Sequence, residues 1–255
     1  FSLMGIGNKG AGILAPILFA AVVLRVTDTA LFAALPTMES AAKAAALDEL
    51  IRRVVMPYAC VAAVLADQGM RAVRRLTLRI GPDLAHGAGP LLAAAAAGVL
   101  EGVIETDRLN LINARSLADA RGLELSVGES SELGHPRAIE VALAGGMQQL
   151  AVAGVAPEDS TPRLTRIGQF HVDVNPRQTL LILTNHDVPG VIGRVGTLLG
   201  ERKVNIAEYH QARLAQGGDA LAAISVDGTV SEETRKALLE LPDVLTASVA
   251  HFGAE

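Results

Sequence analysis

"NHDVPGVIGRVGTLLGERKVNIAEYH", Asn185 to His210, decides the fold of the C-terminal part of this chain. Asp187 is placed to cap a helix over "DVPGVIGRVGTLLGERK", with Pro189 in the first turn. Ile192, Val195, Leu198 and Leu199 recur at helical spacing and predict one buried face. A strand precedes the helix ("TLLILT") and another comes after it ("VNIAEYHQARL"). "AQGGD" then predicts a glycine-containing hairpin leading into "ALAAISVDG". In "SEETRKALLELP", Ser231 is the expected cap, and Glu232 and Glu233 suit the positive end of a second helix. "VLTASVAHF" closes the unit as a strand. The order βαββαβ over residues 178–255 predicts a ferredoxin-like α+β domain.

The loop before the first of these helices is the candidate site. Asn185, His186 and Asp187 bring donors and acceptors to a helix N-terminus, and Gly190 lets the backbone turn. Unpaired N–H groups there suit an anion or a carboxylate. Asn205 comes after the helix and stands at its other end, roughly 18 Å away for about a dozen residues at 1.5 Å each. One small ligand therefore cannot touch both in one chain, whereas a two-fold axis brings unlike ends together. From residue types alone a second reading stays open: Asp187 caps, Gly190 turns and Asn205 ends the helix, which are the common uses of these residues.

Residues 67–177 predict a second α+β unit, with helices on one face of a mostly antiparallel sheet. "RAVRRLTLRIG" alternates as a half-buried strand does, and "GPLLAAAAAGVLEGVIE" and "NLINARSLADARG" read as helices. "LELSVGE", "RAIEVALAGG", "QQLAVAGVA" and "RLTRIGQFHVDV" read as strands, with a turn at Gly145–Gly146. The arginines of "RAVRR" fit a solvated edge better than a phosphate site.

Residues 1–66 are alanine-rich and hydrophobic. The runs Gly10–Leu24 and Val54–Ala66 are read either as membrane helices or as buried helices of a soluble fold, and the membrane reading is favoured on length for the first. On that reading residues 1–66 make few contacts with the rest of the chain, contact a membrane, and leave residues 67–255 cytoplasmic. "GIGNKG" spells a GxGxxG, but only four residues precede it and Pro16 falls in the required helix, so a dinucleotide site is not expected. The chain begins at Phe1 and is read as a fragment, a processed product or an incomplete reading frame.

Composition excludes several functions. A formal charge of −5 over 255 residues gives no basic footprint for nucleic acid. One cysteine and six scattered histidines give no metal-ligand spacing, so no metal is expected. Nor is there a GxSxG, HExxH or Walker loop, and the adjacent Asp48 and Glu49 diverge on a helix.

"PGVIGRVGTLLG" with "VNIA" resembles the ACT domain of D-3-phosphoglycerate dehydrogenase. "NLINARSLADARGLELS" and "TRIGQFHVDV" resemble the allosteric substrate-binding domain that precedes it in the long form of that enzyme. "NKGAGILAPILFAAVVL" and "LDELIRRVVMPY" resemble part of a major-facilitator sugar transporter. The first resemblance implies a regulatory module of L-serine biosynthesis, homo-oligomeric through its ACT domains. It implies serine contacts from Asn185, His186, Asp187, Gly190 and Asn205, and a phosphate contact from Arg137 in "GHPRAIE". Asp187 stands where the family most often has Asn, and its carboxylate repels a ligand carboxylate unless a cation offsets it. NAD and 3-phosphoglycerate belong, by the same resemblance, to catalytic domains that this sequence does not contain, so neither a cofactor nor hydride transfer is expected here. The alternative is a membrane-tethered small-molecule sensor or a transporter-derived fusion.

Overall fold

The computed structural model describes residues 38–70, 72–101, 104, 109–158 and 160–252. The run Gly10–Leu24 and the "GIGNKG" motif lie outside the described residues.

The described chain opens with helix α1 (Met38–Leu50), a π-helical turn (Ile51–Val55) and helix α2 (Met56–Asp67). Pro57 explains the turn. A proline inside an α-helix removes one N–H and presses on the carbonyl four residues back, and the wider π turn gives that carbonyl room. Asp48–Arg52 and Glu49–Arg53 pair along the exposed side, at 3.0 and 3.3 Å.

The middle sheet has six strands in the order β2-β1-β3-β4-β5-β6. These are β1 (Arg75–Ile80), β2 (Glu124–Glu129), β3 (Ala138–Gly145), β4 (Gln148–Val155), β5 (Arg163–Ile167) and β6 (Phe170–Val174). β1 and β2 are parallel, joined through helices α3 (Ala88–Leu100) and α4 (Ala114–Ala120); the other pairings are antiparallel. The run "RLTRIGQFHVDV" is two strands, because Gly168 at φ 56° turns the chain back. Leu76, Leu78, Ile80, Ile139, Val141 and Leu143 alternate onto the face covered by helices. The opposite face carries Glu140, 1% exposed and clamped between Arg79 of β1 and Arg166 of β5.

The C-terminal sheet has the order β10-β7-β9-β8, all antiparallel. It is built from β7 (Thr179–His186), α5 (Val191–Glu201), β8 (Ile206–Arg213), β9 (Asp219–Val226), α6 (Glu232–Leu239) and β10 (Val244–His251). This is the expected βαββαβ order. Ser231 caps α6 by accepting the Thr234 N–H at 3.2 Å. Leu181, Leu183, Ala222, Ile224 and Ala247 pack against Val191, Val195, Leu199 and Leu238 of the two helices.

The other face of this sheet corrects the reading of the run Val54–Ala66. Leu180, Ile182, Leu221, Ala223 and Ala250 share one apolar cluster with Val54, Tyr58, Val61 and Ala62 and with Leu76, Leu78 and Ile139. Helix α2 therefore lies between the two sheets and contributes to both. Val55, Tyr58, Ala59, Val61 and Ala62 are fully buried, so the run Val54–Ala66 does not stand apart and presents no free apolar face to a membrane. Among the described residues one helical stretch, Pro82–Leu100, has the length and apolarity of a span, and 56% of its apolar window is buried inside the fold.

Candidate functional site

The expected loop is assembled at the end of β7, though not as the residue types suggest. Asn185 is 1% exposed, and its Nδ2 donates to the His186 carbonyl at 2.8 Å. The backbone N–H of His186 donates to the Asp243 carbonyl at 2.9 Å, and its ring Nδ1 lies 3.2 Å from Asp219 Oδ1. Asp187 does not cap the helix. Its Oδ2 accepts from Arg213 Nη1 at 3.1 Å and from the Gly217 N–H at 3.2 Å, tying the loop to the β8–β9 hairpin. These two donors, the Gly217 N–H first, hold its carboxyl below the ordinary value.

The helix starts later than expected, at Val191, and its N-cap is Gly190 at φ 91°. That left-handed conformation is open to glycine at no steric cost. A side chain at Gly190 would also sit 3.0 Å from Arg194 Nη1. No side chain caps this end, so the first-turn N–H groups of α5 face the loop without a capping oxygen. Arg194 closes the far wall by donating to Asp243 Oδ2 at 2.9 Å and to the Pro242 carbonyl at 3.3 Å. Ile192, expected on the buried face, is 52% exposed, while Val191, Val195 and Leu199 face inward.

Asn205 is exposed at the other end of the sheet. Its Nδ2 donates to Asp227 Oδ2 at 2.6 Å, and its carbonyl accepts the Asp227 N–H at 3.0 Å. The strand register fixes the separation. Ile206 and Thr179 both pair with Val226, whereas His186 pairs with Asp219, seven positions away. At ~3.3 Å per residue that is about 23 Å. The structure thus gathers Asn185, His186, Asp187 and Gly190 at one end and leaves Asn205 at the other. Arg213 joins the candidate site, a position that residue types do not reveal. It offsets the Asp187 carboxylate, and only the β8–β9 hairpin register could point to it.

Residues 179–243 match the ACT domain. The chain is also similar to D-3-phosphoglycerate dehydrogenases. It is 31% identical to that of Synechocystis over 173 residues, covering 65% of this chain and 31% of the relative. It is 31% identical to that of Bacillus subtilis over 142 residues (55% and 27%). With that of Methanocaldococcus jannaschii it shares 27% over 200 residues (77% and 38%). The chain thus spans about a third of the length of the curated relatives it matches. The matched lengths exceed the ACT domain itself, so the similarity extends beyond the ACT domain.

Arg137, the position offered for a phosphate, lies outside the ACT domain. Its Nε donates to the Ala156 carbonyl at 2.6 Å and its Nη1 to Glu158 Oε1 at 3.0 Å. It lines a cleft of about 550 Å³ between α1, the π-helical turn and the 156–162 loop, together with Glu49, Arg53 and Thr161. Two carboxylates accompany the two guanidiniums there, which leaves little net charge for an anion.

Proposed function

We propose that this chain is the regulatory part of a D-3-phosphoglycerate dehydrogenase, responsive to L-serine or a related small amino acid. The observation that carries the reading is the uncapped N-terminus of α5, facing the Asn185–Gly190 loop of an ACT domain. Exposed first-turn N–H groups and the positive end of the helix dipole suit the ligand's carboxylate. Asp187 does not oppose this, since Arg213 already pairs with it. Asn205 completes the site from a second copy, because the register keeps the loop and Asn205 of one chain too far apart. NAD and 3-phosphoglycerate belong, on this proposal, to the remainder of the longer enzyme, and this part takes no cofactor.

Calorimetry with L-serine tests the reading on the wild type and on Asn205→Ala. The wild type should bind, and the variant should bind about 5- to 150-fold more weakly, as expected for loss of a polar contact worth about 1–3 kcal/mol. No heat with the wild type would remove the amino-acid reading. Equal affinity in Asn205→Ala would remove the shared site and leave a loop-only one.

A further inference from the structure

We propose that the Arg163–Glu208 pair is the mechanical link between the two sheets, through which displacement of the Asn205 end of β8 reaches β5, β6 and helix α2. Glu208 lies on β8, three residues after Asn205. Its Oε1 accepts from Arg163 Nη1 at 3.1 Å, its Oε2 lies 3.1 Å from Arg163 Nη2, and Oε2 also accepts the Asn175 N–H at 3.2 Å. One carboxylate therefore holds both a side chain of the middle sheet and the backbone of the segment joining the sheets.

The far end of the link is rigid. Arg163 Nε donates to Asp173 Oδ1 at 2.6 Å, and its Nη2 donates to the Asp173 carbonyl at 2.8 Å, so the guanidinium is fixed to β6 as well. The Arg163 carbonyl accepts from Tyr58 Oη at 2.7 Å. Tyr58 is fully buried on α2. Its hydroxyl presses on Gly154 so closely that a Cβ there would lie 2.0 Å from Oη and 2.3 Å from the Arg163 carbonyl oxygen. Tyr58, the Arg163 carbonyl and Gly154 thus meet at one close approach between α2, β4 and β5. A shift at the start of β8 therefore strains the Glu208 bonds and, while they hold, pulls on β5 and β6. The consequence for ligand response rests on the proposed role of Asn205; the link itself does not.

Native-state hydrogen exchange of the chain tests the link in Glu208→Gln, Arg163→Gln and the double variant. Without ligand, amides of 163–174 as well as 206–213 should exchange about two- to fivefold faster in Glu208→Gln, the range for a half-exposed ion pair. The double variant should exchange no faster than the faster single one. Acceleration confined to 206–213, or additive effects in the double variant, overturns the link. A second arm adds L-serine. Protection should spread from 206–213 into 163–174 in the wild type and stop at β8 in Glu208→Gln; equal spread in both overturns the link. Absence of serine binding in the wild type would strike the amino-acid reading, while the ligand-free arm still decides the link.

Discussion

Asp187 and Arg213 meet across the end of the C-terminal sheet, carboxylate to guanidinium at 3.1 Å, with the Gly217 N–H on the same oxygen. The Gly217 N–H and Arg213 hold the Asp187 carboxyl below its usual 3.8. A carboxylate depressed in the folded state contributes stability above its unfolded pKa and loses it as pH falls through the lower, folded one. The Gly217 amide resonance should therefore titrate with Asp187, with its midpoint below pH 3.8. Asp187→Asn should abolish that acid step, and a Gly217 shift centred above pH 3.8 in the wild type would contradict the assignment.

Glu140 is 1% exposed and holds both Arg79 and Arg166 on the face of the middle sheet that the helices leave open. Removing it strands two guanidiniums, each partly open to water at 40% and 31% exposure. Glu140→Ala should cost about 1–3 kcal/mol in urea unfolding, less than a fully buried pair would. Stability equal to the wild type would mean that water satisfies both arginines.

Tyr58→Phe removes the donor to the Arg163 carbonyl and should cost about 1–3 kcal/mol. Burial pushes the Tyr58 hydroxyl well above its ordinary value, so it remains a donor throughout the working pH range. Gly154→Ala drives a methyl into that hydroxyl and into the carbonyl, and should cost about 1–3 kcal/mol or more, because backbone cannot step aside. Both are read from chemical unfolding, and a silent Gly154→Ala would show that the contact is loose.

A chain starting at residue 68 should fail to fold cooperatively. It lacks Val54, Tyr58, Val61 and Ala62, which cover Leu76, Leu78 and Ile139 on one side and Ile182 and Ala223 on the other. Circular dichroism on heating should show a broad transition where the longer chain gives a sharp one. A sharp transition in the shortened chain would return helix α2 to a dispensable role.

Much of this architecture is legible from residue patterns. Val195 and Leu199 mark the buried face of α5, Ser231 marks the start of α6, and alternation marks β1. Asp187 misleads because its residue type suits a cap, whereas the backbone at Gly190 sets the helix start and leaves Asp187 to the hairpin. Arg213 is invisible because its partner depends on strand register rather than on sequence spacing. The run Val54–Ala66 misleads for a related reason. A short apolar helix looks the same in sequence whether lipid or a sheet covers it, and here two sheets cover it.

The position of α2 between two sheets limits how this chain can be recombined. Sequence similarity invites a cut near residue 178, with the ACT portion exchanged for that of a relative. Such a chimera would set a foreign Leu180, Ile182 and Ala223 surface against a native Tyr58 and Val61 surface. The piece that transfers intact is the ACT portion together with α2, two segments far apart in sequence that share one packing surface.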